Sequence, residues 1–124
     1  MALEELLQRD DSHPIPDLEV IDIHGVKKGG GSELIIIIAS PLQDDVRSLE
    51  RLMCKIERYL LFAKSPECEA DSGFATTENT KLLVRMHPAS SKVAFELLER
   101  CKPWVLENDA TLEVDTRGIG DPVH

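Results

Sequence analysis

The side chains in this chain with the widest chemical repertoire are its four histidines and three cysteines. His13, His24, His87 and His124 are scattered, with no HExxH and no carboxylate grouped with a histidine, so no metal or other cofactor is expected. Cys54, Cys68 and Cys101 form an odd set without CxxC spacing, as befits reduced thiols in a cytoplasm. Cys54 and Cys101 fall on apolar helical positions, where a buried thiol without a base is inert. Cys68 lies between Glu67 and Glu69, whose charges disfavour its thiolate. Cysteine catalysis is not expected, and no other motif marks an enzyme.

One constellation depends on topology. If the segments ending at Ala39 and Met86 are parallel strands, each followed by a helix, their ends share a sheet edge that gathers Ser40, His87, Ser90 and Ser91. Helix N-termini favour anions, so a small carboxylate or phosphate is the ligand class for that edge. The structural explanation is stronger: Ser40 and Ser90 or Ser91 serve as helix caps, Pro88 explains His87, and Asp44 and Asp45 repel an anion. A His24–His87 pair fails because strand one runs antiparallel to its neighbours. Lys27-Lys28-Gly29-Gly30-Gly31 lacks the Lys-Ser/Thr of a phosphate loop and leads into a strand, so it reads as a hairpin turn.

The elements that position these residues follow from periodicity. Leu18 to Val26 alternates like a strand with one wetter face, and Leu34 to Ala39 reads as a central strand buried on both faces. Ser40-Pro41-Leu42-Gln43 carries a helix start, with Ser40 as N-cap. Leu42, Val46, Leu49, Met53, Ile56, Leu60 and Ala63 then define an apolar stripe, with Arg47, Glu50, Arg51, Lys55, Glu57 and Arg58 facing away. Residues 64 to 80 have no period and read as a long loop. Lys81 to Met86 forms a third strand. A second helix follows with Val93, Ala94, Leu97, Leu98, Cys101 and Val105 inward, and Pro103 should kink or end it. Thr111 to Asp115 forms the fourth strand. The expected fold is a ββαβαβ, α/β (α+β) two-layer sandwich, with a four-stranded mixed sheet and two helices on one face. Residues 1–17 read as a partly flexible N-terminal extension with an apolar patch at Leu3, Leu6 and Leu7, residues 18–117 as one domain, and 118–124 as a tail.

Within this order, Val20-Ile21-Asp22-Ile23-His24-Gly25-Val26, the glycine-rich hairpin, Leu49…Lys55-Ile56…Tyr59-Leu60…Phe62 and Phe95-Glu96-Leu97-Leu98-Glu99 resemble a small uncharacterised bacterial family. Its members begin with a similar Ile-Asp…Gly hairpin followed by αβαβ. The resemblance spans about residues 18 to 117, departs at Pro103, implies a bacterial cytoplasmic domain, and carries over no catalytic residue.

Charge gives the remaining expectation. The chain has 124 residues and a net charge of −9, which disfavours nucleic acid, and its longest apolar run is too short to cross a bilayer. The acidity is localised: residues 1–19 carry net −5, 64–80 net −3 and 107–124 net −4, while 81–106 carry +3. Clustered carboxylates are ordinarily solvated surface, and otherwise they steer a basic partner. The expected function is a non-enzymatic protein-binding module, such as an inhibitor or immunity protein, that meets a basic protein through Glu67, Glu69, Asp71, Phe74 and Glu78. Two alternatives are the small-anion site at Ser40 and His87, ligand-binding or enzymatic, and a structural homodimer paired through an outer strand.

Overall fold

Leu34-Ile35-Ile36-Ile37-Ile38 is stiff, branched and apolar, and it lies in one of the two seven-residue inner strands of the sheet. The structure, a computed structural model, describes residues 8–117. Strands β1 (Ile23–Val26), β2 (Ser32–Ile38), β3 (Thr80–Met86) and β4 (Thr111–Asp115) make one sheet in that order. β1 pairs antiparallel with β2, while β2, β3 and β4 are parallel. Helices α1 (Val46–Ala63) and α2 (Pro66–Ser72) join β2 to β3, and α3 (Lys92–Glu107) joins β3 to β4. The element order is thus ββααβαβ, with one helix more than the sequence predicts.

Register explains which face is dry. Leu34 aligns with Leu82 and Leu112, Ile36 with Val84 and Val114, and Ile38 with Met86. These side chains join Leu52, Ile56, Tyr59 and Leu60 of α1 and Ala94, Leu98, Cys101 and Val105 of α3 in one core. Ile35, Ile37 and Leu83 point the other way and stay partly exposed, so β2 is buried on one face rather than two. On that open face Lys81 of β3 bridges Glu33 at 3.5 Å and Glu113 at 3.2 Å, tying three strands.

Four local expectations are corrected. α1 starts at Val46 with Asp45 as N-cap, not at Ser40. Leu42 is fully buried, its N–H donates to Ser90 Oγ at 3.0 Å and its carbonyl accepts from Ser91 N at 2.8 Å, so this segment is committed to the core edge instead of a helical turn. α3 continues through Pro103 to Glu107. Residues 64–80 contain α2. β1 begins at Ile23, five residues later than expected, because the preceding chain crosses to α1.

That crossing segment, residues 8–22, is held by side chains expected to face solvent. Arg51 is fully buried, and its guanidinium donates to the carbonyl of Ile15 at 2.9 and 2.6 Å and to that of Gln8 at 2.7 Å. One turn on, buried Lys55 donates to the carbonyls of Asp17 at 2.5 Å and Val20 at 2.7 Å, with the Asp22 carboxylate at 3.4 Å. Tyr59 follows a turn later: its hydroxyl donates to Ile35 O at 3.0 Å and accepts from Asp22 N at 2.6 Å. Burial pushes the Tyr59 phenol above its usual range, so the hydroxyl keeps its proton. The positions 51, 55 and 59 form an i, i+4, i+8 stripe, and the strap lies along it. Ile15 and Leu18 of the strap are 2% exposed, so the segment is core as well as cover. The apolar patch at residues 1–7 and the tail at 118–124 lie outside the described residues. Among the described residues, no helix is long and apolar enough to cross a membrane.

His13 latches the strap. Ser48 Oγ donates to Asp45 Oδ1 at 2.6 Å, so its lone pair is left for His13 Nε2 at 2.9 Å, while His13 Nδ1 accepts from Ile15 N at 2.9 Å. This arrangement requires neutral imidazole with the proton on Nε2. Desolvation first, then Arg51 and Arg47, lower its pKa from 6.5, against opposing pulls from Asp10 and Asp45. A depressed folded pKa contributes stability that is present above 6.5 and is lost as pH falls towards and through the folded value. Urea unfolding midpoints should therefore fall in the wild type as the pH is lowered below 6.5, and fall less in His13→Gln, whose amide cannot titrate. Parallel profiles for the two proteins would contradict the latch.

Candidate functional site

The acidic segment after α1 carries a helix signature of its own. Ser65 Oγ accepts from Cys68 N at 3.2 Å as N-cap, Pro66 occupies the first turn, and Glu67 and Glu69 lie where the helix dipole favours acids. Gly73 ends the helix at φ +82°, a conformation that L side chains rarely adopt. Such a short helix is marginal alone and must be docked by its inner face.

Cys68 and Ser72 supply that face. Both are buried, and they meet Ser32 of β2 and His24 of β1 beneath the hairpin. Around His24 Nε2 lie Ser32 Oγ at 3.0 Å, Ser72 Oγ at 3.5 Å and Cys68 Sγ at 3.8 Å, with Ser32 Oγ 3.6 Å from Cys68 Sγ. The His24 ring is set edge-on to Phe62, centroids 5.2 Å apart. Ser32 is the nearest partner of that imidazole nitrogen, Cys68 and Ser72 lie around the same atom, and Ser32 and Cys68 also partner each other, so the four side chains form one small buried polar cluster. The hairpin closes over them: Gly31 N donates to Ser72 O at 2.7 Å, and a Cβ at Gly31 would lie 2.3 Å from the Asn79 carbonyl oxygen.

With its inner face fixed, α2 turns Glu67 and Asp71 to solvent, Glu69 being half-buried. The chain then leaves as an ordered turn. Thr76 N donates to Asn79 Oδ1 at 2.8 Å, Asn79 N to Thr76 Oγ1 at 3.2 Å, and Asn79 Nδ2 to the Phe74 carbonyl at 3.0 Å. Phe74, on that tethered backbone, has 79% of its surface exposed, the most of any large apolar residue described. Glu78 is exposed nearby in the same turn. Glu67, Asp71, Phe74 and Glu78 are thus exposed along the promontory of α2 and the turn after it. Sequence reasoning missed Cys68, Ser72, Ser32 and His24 as its foundation, although Ser65-Pro66 and Gly73 mark the helix ends.

The anion edge is differently built from what the sequence suggests. Ser90 is buried and its hydroxyl takes Leu42 N; Ser91 Oγ caps α3 by accepting from Val93 N at 3.2 Å. His87 Nδ1 accepts from Ala89 N at 3.0 Å, and Ser40 is exposed and five residues from the N-cap of α1. At the start of α1 the Asp45 carboxylate takes Ser48 N, which places a negative charge where an anion would sit. Elsewhere, burial pushes the Cys54 and Cys101 thiols up, with the neighbouring Glu57 and Glu50 adding to the effect at Cys54. Among the described residues no three His, Cys, Asp or Glu side chains are grouped to hold a metal ion.

No family model matches the chain, and no curated protein or solved structure matches it, so the site is read from its own residues.

Removing the imidazole should loosen α2 without unfolding the sheet. In His24→Ala, alkylation of Cys68 should rise at least about tenfold over the wild type while that of Cys101 stays slow, read by peptide mass spectrometry. An unchanged Cys68 rate would show that α2 is held by something other than this cluster.

Proposed function

We propose that this chain is a small, acidic, non-enzymatic cytoplasmic binding module, of the inhibitor or immunity-protein kind, that recognises a basic protein. Its body is a two-layer α/β sandwich, with α1 and α3 over one sheet face, and its working surface is the promontory of α2 and the turn after it. Phe74 carries the reading. An aromatic ring held out on an ordered backbone loses little freedom on binding, and such rings anchor interfaces when they enter a partner's pocket. Glu67, Asp71 and Glu78 are exposed in the same segment, and their charges attract cationic partners and repel acidic ones.

A second reading, a homodimer, is supported by the open sheet face, where Ile23 of the edge strand β1 and Ile37 of β2 are 43% and 36% exposed.

The two are separated by crosslinking the chain in its native cell and then measuring the captured partner with purified proteins. Phe74→Ala should weaken binding by a factor of about 30 or more, as expected for loss of an anchor worth about 2 kcal/mol. Glu67→Lys with Asp71→Lys should slow association and remove most of its salt dependence. Full affinity in both variants, or capture of the chain's own copies alone, would contradict the proposal.

A further inference from the structure

Where the strap leaves the sheet, it does not lie flat. Past the Ile23–Ile35 pair the ladder between β1 and β2 stops, and the Asp22 carboxylate, not a backbone carbonyl, takes the Ile37 N–H at 3.1 Å. The chain then swings to α1, drawn by Lys55, and leaves a cavity of about 320 Å³ between strap and β2. That volume falls at the lower end of the range for small-ligand sites, roughly 300–1,000 Å³. Ile15, Pro16, Val20, Ile36 and Ile37 give it aliphatic walls, and Asp22 and Lys55 are its charged groups.

The chemistry of that pair selects the ligand. The Lys55 ammonium has three protons, and the carbonyls of Asp17 and Val20 and Asp22 Oδ1 engage them all, so it has no donor left for an anion. Each Asp22 oxygen accepts one bond, Oδ1 from Lys55 and Oδ2 from Ile37 N, and a carboxylate oxygen can accept a second. The side chain of Asp22 is 26% exposed, so those sites are reachable. A cationic ligand at Asp22 would meet the Lys55 charge 3.4 Å away, and an anionic one would meet Asp22 itself. A neutral donor meets neither penalty.

We propose that this cavity binds a small neutral molecule with an apolar ring or chain and a single hydroxyl or amide donor. The apolar part lies against Ile15, Val20 and Ile37, and the donor bonds to the Asp22 carboxylate. The site shares no residue with the Phe74 promontory, so it stands or falls independently of the protein-binding reading.

The test uses the full chain, isotopically labelled, titrated at pH 7 with phenol as the neutral probe, benzoate as the anionic one and benzylamine as the cationic one. Phenol should give saturable NMR shifts at the methyls of Ile15, Val20 and Ile37, with roughly millimolar affinity. Benzoate and benzylamine should bind at least about tenfold more weakly. Val20 is 49% exposed, so Val20→Trp can fill the cavity without disturbing the core; it should abolish the phenol shifts while the thermal midpoint stays at or above that of the wild type. The proposal is overturned by non-saturable phenol shifts, by shifts confined to other residues, by charged probes binding as well as phenol, or by unchanged phenol binding in folded Val20→Trp.

Discussion

Two cationic side chains buried on one helix, Arg51 and Lys55, hold this fold together in a way that apolar packing alone does not. Desolvating a guanidinium or an ammonium costs several kcal/mol, and that cost is met only if nearly every proton finds an acceptor. Here the acceptors are backbone carbonyls of Gln8, Ile15, Asp17 and Val20. Those carbonyls belong to a segment with no secondary structure, whose own polar groups need partners just as much. Helix and strap therefore satisfy each other. Removing either cation would leave buried carbonyls unpaired, while removing the strap would leave buried charge uncompensated, the costlier of the two.

Several features of the molecule follow from that bargain. β1 is only four residues long because Lys55 pulls the chain away from the sheet before Ile23. Asp22 and Tyr59 then act as replacements for the missing part of the ladder, one taking Ile37 N and the other bonding Ile35 O. The gap left behind is the cavity beside Val20. The acidic character of the strap also acquires a purpose within the fold, since Asp10 reaches Arg47 at 2.7 Å and Glu19 reaches Arg58 at 3.2 Å. The second pair is exposed and the first half-buried, so each adds little individually, but they align the strap with α1. The negative charge of residues 1–19 is thus partly internal pairing, whereas that around α2 faces solvent.

The strands, the two long helices and their parallel connections were legible because they rest on periodicity: the isoleucine run of β2, the inward Leu49, Ile56, Leu60 and Ala63 of α1, the Ser91 cap of α3. But Val46 and Met53 of α1 and Val93 of α3, read as inward, are 72%, 39% and 42% exposed; in α1 this is because the buried face is turned towards Arg51, Lys55 and Tyr59. The strap was not. Arg51 and Lys55 read as solvent-facing because their charge outweighs their position, yet both sit within reach of the apolar stripe, and long side chains can bury their stems and bring their heads to backbone acceptors. Prolines and acids in residues 10–17 suggested a linker, although Ile15 and Leu18, three apart, were signs of an anchored segment. Ser40-Pro41 imitated a helix start, and only the burial of Leu42 shows why the start lies further on. The exposure of Glu67, Asp71, Phe74 and Glu78 was legible, that of Glu69 less so, since it is half-buried. Their scaffold was not, because it depends on His24, Ser32 and Cys68 meeting across 44 residues of chain, a contact that no local pattern announces.

The account depends on residues 8–22 being part of the folded core instead of a tail lying on it. Amide hydrogen exchange of the full chain measures this directly, since Ile15 N–H is bonded to His13 and Asp22 N–H to Tyr59. The account predicts protection at Ile15, Asp22 and Ile37 that approaches that of Leu34 and Val84 in the central strands. Exchange at Ile15 and Asp22 as fast as in an unstructured peptide, with β2 and β3 still protected, would contradict it.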